Sequence, residues 1–287
     1  MNPSVILYFA SKKRETAKLH FIPPPDKGYG VVIVYLKDGD VVGLESTWGS
    51  SVENLERIFD WPKSIVRRYE FSDTPAKIFI PNEELIRKIV FRDLKKLEGL
   101  GRRVPSREEV EVLMKMPVGI PKTLDPEGVK KIKSYLPPST FFLQVENYAI
   151  SVILGKLVLA FSYEGDVREI DIKDFPESEA KMVPVDPLIA LSVNLPFFVK
   201  PYEKVGKDGV EEISRILKKE TNIWLGIFYT KGGVFIPAFG YKGVFLGMVA
   251  KIKGEIKVLG ENFLENLSQL GDFSVRIYEY DPYMHST

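Results

Sequence analysis

Two histidines, His20 and His285, and no cysteine make up the imidazole and thiol inventory of this chain. Without cysteine there is no disulfide, thiolate nucleophile or thiolate metal ligand. His20 lies in Lys-Leu-His-Phe-Ile and alternates with Leu19 and Phe21, the pattern of a strand residue with its ring at a sheet edge. His285 sits where chain ends fray. No Ser-His-Asp set assembles from two such histidines. The glycine pairs at Gly28–Gly30 and Gly232–Gly233 lack the strand-GxGxxG-helix and GxxxxGK[ST] contexts that cradle phosphates, and Lys231-Gly232-Gly233 reads as a hairpin turn. Asp38, Asp40, Glu45 and Glu53 crowd one hairpin and read as solvated turn residues. No catalytic, cofactor-binding or metal-binding residue is assigned, and the chain is expected not to be an enzyme and to need no cofactor.

The cations are more informative. Arg87, Lys88, Arg92, Lys95, Lys96, Arg102 and Arg103 concentrate on and just after one helical segment, with Lys130, Lys131 and Lys133 on a later one. Positions 88, 92, 95 and 96 share a helical face opposite Leu85, Ile89 and Leu97. A stripe of that kind contacts RNA phosphates or is simply solvated. Aromatic residues for base stacking are not interleaved with it.

The elements that must position these residues come from a chain of 287 residues, 45% hydrophobic, ample for one large or two ordinary cores. The most apolar stretch, Met182 to Val199, is broken by Asp186 and three prolines, so no membrane span is expected. The first residues place their cations after a short apolar run, the reverse of a secretory signal, which points to the cytoplasm. Charged residues make up 28%, rich in Lys and Glu with two glutamines, the bias of proteins selected at high temperature. The net charge of +1 exerts no global pull on nucleic acid or membrane.

Self-comparison exposes a repeat. Residues 7–71 align with 227–280: Phe21-Ile22-Pro23 with Phe235-Ile236-Pro237, Gly39 with Gly254, Glu53-Asn54-Leu55 with Glu265-Asn266-Leu267, and Tyr69-Glu70-Phe71 with Tyr278-Glu279-Tyr280. Each copy reads as a first strand, a proline-bearing connection, a long strand ending in a tight turn, a return strand, a short helix and a closing strand. Asp38-Gly39 and Lys253-Gly254 supply the turns. Ser50 with Glu53, and Asn262 with Glu265, fit helix caps. Residues 140–175 hold a partial echo around Gly155, either a third copy or an independent hairpin. Between the copies the chain turns helical. Asn82 caps one helix, Ser106 with Glu109 a second, Asp125-Pro126 a third, and a fourth runs from Val210 to Glu220 behind Asp208.

The hairpin, capped helix and closing strand over Val31 to Phe71 resemble the PATAN-type domains of prokaryotic signalling and motility regulators, with a weaker likeness over Gly243 to Tyr280. The second copy lacks a tryptophan at the position of Trp61, and the small residue usual after the hairpin is Leu44 in one copy and Val258 in the other. The resemblance implies a non-catalytic interaction module.

The expected fold is α+β: two similar, mainly antiparallel sheet-plus-helix modules joined by a helical connector and a β-rich middle. The expected boundaries are 1–76, 77–138 and 139–287, with the second copy at about 222–282. The expected function is that of a cytoplasmic regulatory or scaffold protein that binds another protein or a ribonucleoprotein, as a homodimer and without a membrane. A second reading is an RNA- or ribosome-associated factor using the basic stripe. A third is an enzyme with a carboxylate or lysine site between modules.

Overall fold

The computed structural model describes residues 1–70, 73, 77–230, 233, 235–252, 255–260, 262 and 272–284. It divides into two units. The first comprises Met1–Lys96, Leu217–Thr221 and Lys242–Val244, and the second Leu97–Ile216, Asn222–Tyr241 and Phe245–Thr287.

In the first unit, α1 (Pro3–Lys12) begins at Asn2, whose side chain accepts from the Ser4 N–H at 3.0 Å, with Pro3 where its missing N–H costs nothing. Leu7, Tyr8 and Phe9, aligned above with the strand residues Ile227, Phe228 and Tyr229, are therefore helical. Five strands follow: β1 (Ala17–Ile22), β2 (Val32–Lys37), β3 (Asp40–Ser46), then α2 (Val52–Ile58), β4 (Ile65–Tyr69) and β5 (Lys77–Ile80). They form an antiparallel sheet in the order β4-β1-β2-β3-β5. Alternation sends Ala17, Leu19, Phe21, Val32, Val34 and Leu36 into the core, together with Leu55 and Ile58 of α2. Lys18, His20, Ile33 and Tyr35 take the opposite face. The N-cap position of α2 is held by Ser51, one later than the capping-box spacing suggests, and its side chain makes no capping hydrogen bond. Helix α3 (Asn82–Glu98) starts where the Asn82 N–H donates to the Asp40 carboxylate at 2.8 Å, and it buries Leu85, Ile89, Val90 and Leu94.

The second unit opens with α4 (Arg107–Lys115), which carries the full Ser106/Glu109 capping box, then β6 (Lys122–Leu124) and α5 (Pro126–Ser134), capped by Asp125. Strands β7 (Phe141–Val145), β8 (Tyr148–Ile153), β9 (Lys156–Ser162), β10 (Arg168–Glu169) and β11 (Ala180–Pro184) join β6 in the order β10-β9-β8-β7-β11-β6. Val129, Phe141, Leu143, Ile150 and Phe175 fill the core of this sheet. The apolar stretch after it is α6 (Pro187–Asn194), a buried helix; Asn194 Nδ2 donates to Ser151 Oγ at 2.9 Å. Next come β12 (Tyr202–Val205) and α7 (Gly206–Leu217), which starts a turn earlier than the sequence suggests. The third sheet adds β13 (Ile223–Thr230), β14 (Phe235–Tyr241), β15 (Val244–Ile252), β16 (Glu255–Leu259) and β17 (Phe273–Tyr280), in the order β12-β17-β13-β14-β15-β16.

All three sheets share one central arrangement: a strand, its hairpin partner, a return strand, and a closing strand that comes back to the far side of the first. The orders are β4-β1-β2-β3, β11-β7-β8-β9 and β17-β13-β14-β15. Each hairpin turns on a residue-glycine pair with positive φ: Asp38 and Gly39 (51° and 87°), Leu154 and Gly155 (49° and 80°), Lys242 and Gly243 (47° and 81°). This is the two-residue turn whose twist matches that of the strands. A register shift sits between Tyr35 and Leu36 in the first sheet and between Ser151 and Val152 in the second, at equal distance from the turn glycine. The segment around Gly155 thus has the strand order and turn of the other two, closed by β11.

The copies align differently from the sequence reading. Position in the sheet pairs Gly39 with Gly243 and Phe21 with Phe228; Gly254, proposed as Gly39's counterpart, lies outside the described residues. Phe-Ile-Pro and Lys-Gly recur one strand further along the chain, and this moved the alignment by a hairpin. The closing-strand match holds: Tyr69 faces Lys18 in β1 as Tyr278 faces Leu225, the corresponding residue of β13. Of the helix expected after Asn262, residues 263–271 lie outside the described residues.

Candidate interaction surface

One end of the first sheet is framed by the Pro23–Val31 connection, the Thr47–Ser51 loop and the approach to β4. The three consecutive prolines restrict φ and Pro25–Lys27 forms a 3-10 turn. Tyr29 then stands 98% exposed. Gly30 (φ 143°) is packed so closely that a Cβ there would lie 2.8 Å from the Trp48 ring. Thr47 Oγ1 accepts from the Val31 N–H at 2.9 Å, and Asn54 Nδ2 donates to the Gly49 carbonyl at 2.9 Å, so α2 holds the loop. Trp48, 40% exposed, meets buried Trp61 edge-on with centroids 6.4 Å apart.

Two clefts open here. One, about 560 Å³, is lined mainly by Ile22, Pro24, Pro25, Tyr29, Lys63 and Ile65. The other, about 500 Å³, is lined by Lys27, Trp48, Glu53, Arg57, Asp60 and Arg92 among others. Lys27 and Gly28 fall on either side of the divide between them.

Two carboxylates of the second cleft, Glu56 and Asp60, are paired with cations of α3. Asp60 accepts from Arg92 and from Lys96 Nζ at 2.7 Å, and Lys88 Nζ donates to Glu56 at 2.9 Å. Burial pushes the Asp60 carboxyl up, but the hydrogen bonds and charges of Arg92 and Lys96 outweigh it and hold the group at about 2. Glu53 is also lowered, chiefly by a hydrogen bond from Ser51. Carboxylates held this way are fixed anions, far from the neutral pKa of a general base.

The sequence-derived basic residues separate accordingly. Lys88 of α3 is paired with Glu56 of α2, and Arg92 and Lys96 with Asp60 in the turn after it, while Arg87 and Lys95 are exposed, Arg87 with its guanidinium 6.0 Å from the Phe91 ring centroid. Arg102 and Arg103 belong to the second unit. Arg102 donates to the Val158 carbonyl at 2.5 Å and lies over the Phe198 ring at 4.8 Å. Arg103 binds the Glu109 carboxylate with two nitrogens, at 2.7 and 2.9 Å, and donates to the Pro196 carbonyl. Sequence reasoning passed over Tyr29, Trp48 and Ile65; the Pro-Pro-Pro-Asp-Lys-Gly-Tyr-Gly run was the available signal.

His20 lies on an interior strand of the sheet, between β4 and β2, and its ring packs 4.6 Å from that of Tyr69. Burial, with Lys18 and Arg67 nearby, lowers its pKa despite Glu45. Asp38, Asp40, Glu45 and Glu53 do not converge: Asp40 serves α3, Glu45 accepts from the Tyr35 hydroxyl at 3.1 Å, and Glu53 lines a cleft. Among the described residues no group of three or more His, Asp or Glu side chains is gathered to hold a metal ion, and no helix is long and apolar enough to cross a membrane. Comparison with protein-family models, curated proteins and solved structures returns no match for this chain.

Proposed function

We propose that this chain is a non-enzymatic binding protein that engages another protein through the rim of its first sheet. The observation that carries this reading is the apolar cleft bordered by Tyr29, 98% exposed, and Ile65, 63% exposed, with Trp48, 40% exposed, on the neighbouring cleft. Exposed aromatic rings around a concave apolar surface supply contact area at low entropic cost. Prolines in the wall hold the shape before the partner arrives, which lowers the cost of ordering it. The resemblance to PATAN-type modules agrees with this reading, and a chain without cysteine suits a reducing compartment such as the cytoplasm.

The RNA- or ribosome-binding reading draws its support from the basic stripe, and the pairing of Lys88, Arg92 and Lys96 with Glu56 and Asp60 weighs for protein over RNA. The Asp60 carboxylate of the charged cleft, held as an anion by Arg92 and Lys96, weighs for binding over turnover. Association of two copies is the competing assembly on the same surface. Immobilised full-length chain tests the proposal in lysate of the source cell. A defined protein is expected to be retained after nuclease treatment and lost with Tyr29→Ser and Trp48→Ala variants whose circular dichroism is unchanged. Equal retention by those variants overturns it.

A further inference from the structure

The three sheets differ at one edge. In the second sheet the closing strand β11 is covered on its outer side by β6, and in the third β17 is covered by β12. In the first sheet the corresponding strand, β4, pairs with β1 on one side and, among the described residues, with no strand on the other. Its outer row of backbone N–H and C=O groups is a template for one more strand.

We infer that this edge receives an extended segment of a partner protein that carries a carboxylate, added antiparallel to β4 as β12 is added to β17. The inference rests on the protein-binding reading above and specifies what is bound. Charge identifies the occupant. Arg67 pairs with His20 in β1 as Arg276 pairs with Ile227, the corresponding residue of β13, so Arg67 and Arg276 hold the same place in their sheets. Opposite Arg276 the covering strand presents Glu203, with Nε to Oε1 at 2.9 Å. Arg67 has no ion-pair partner among the described residues, while its neighbour Arg68 is paired with Glu15 at 2.8 Å. Lys18 of β1, on the same face, adds to the positive character beside it. A carboxylate opposite Arg67 would complete the first sheet as Glu203 completes the third.

Register identifies a second feature. Two residues before Arg67 on the same face is Ile65, which borders the apolar cleft. An antiparallel occupant runs toward that cleft, so the residue two places after its acid lies opposite Ile65. In β12 that place is held by Val205, opposite Ser274. The occupant therefore reads acid, any residue, apolar residue, with the apolar side chain directed at the proline-walled cleft. Main-chain bonds would provide affinity and these two side chains the selection. A second copy of β4 is a poor occupant, because centred antiparallel pairing sets Arg67 against Arg67.

The test uses the chain's own covering strand as probe. A synthetic peptide of residues 200–206 is titrated to millimolar concentration into isotope-labelled full-length protein and followed by amide resonances. Saturable shifts centred on Ile65–Tyr69 are expected. Affinity should fall about tenfold or more with a Glu203→Lys peptide or an Arg67→Glu chain, and return when the two changes are combined. Absence of shifts at Ile65–Tyr69, or indifference to both charge reversals, overturns the inference. So does a dimer by sedimentation in which these amides are already protected. If the peptide fails while the Tyr29 and Trp48 variants still lose their retained protein, the binding reading stands and the strand inference alone falls. If those variants also retain it, both fall.

Discussion

Asp60 shows how one carboxylate decides what its neighbours do. Arg92 and Lys96 were the centre of the expected basic stripe, and Asp60 takes both. Its pKa of about 2, below the ordinary 3.8, is a statement about stability as well as charge. A carboxyl depressed in the folded state contributes stability above its unfolded pKa and loses it as the pH falls through the folded value. The side chain is 43% exposed, so solvent screening cuts the contribution to about 1 kcal/mol. Asp60→Asn should therefore lower the unfolding free energy by about that amount at pH 7, and the gap should close between about pH 4 and pH 2. Urea titrations of both proteins across that range check it. Lys242 lies at the opposite extreme: buried, 2.8 Å from the buried carboxylate of Asp93, and with its pKa lowered by desolvation against the pull of Asp93.

The hairpin is the element that recurs, and its turn is where it is most exacting. Gly39 has φ 87°, a conformation costly to residues with a side chain, and a Cβ there would lie 2.5 Å from the Ser11 carbonyl oxygen of α1. Gly39→Ala should lower stability by about 2 kcal/mol or more, since the obstructing atom is backbone and cannot rotate away. Thermal unfolding monitored by circular dichroism measures the loss. The covering strands repeat in the same way: β6 and β12 close the second and third sheets. Among the described residues no strand covers β4, and this sets the first sheet apart.

Taken as a molecule, the chain has a net charge of +1, and three of its most clustered cations are matched by acids a helix away. Counterion release scales with the phosphates neutralised. Retention on immobilised single-stranded RNA should therefore be weak, vary little with salt, and change little with Lys88→Gln and Lys96→Gln. A log–log salt slope steeper than about −2 that these substitutions abolish would restore the RNA reading, since it corresponds to roughly three phosphate contacts.

Local signals were legible in the sequence. The turn at Asp38-Gly39, the caps at Ser106 and Asp125, the amphipathic face of α3 and the closing-strand match of Tyr69-Glu70 to Tyr278-Glu279 each depend on residues a few positions apart, and the structure has all of them. The α+β class followed from the same periodicities. Strand neighbours did not, because pairing is set by hydrogen bonds between residues far apart in the chain. Phe-Ile-Pro and Lys-Gly match equally well one hairpin out of step, and only the registers of β1 on β2 and β13 on β14 separate the two alignments. The fate of the basic stripe was likewise a tertiary matter: Lys88, Arg92 and Lys96 align on one face by helical geometry alone, but whether that face meets solvent or Glu56 and Asp60 depends on where α2 and the turn after it pack.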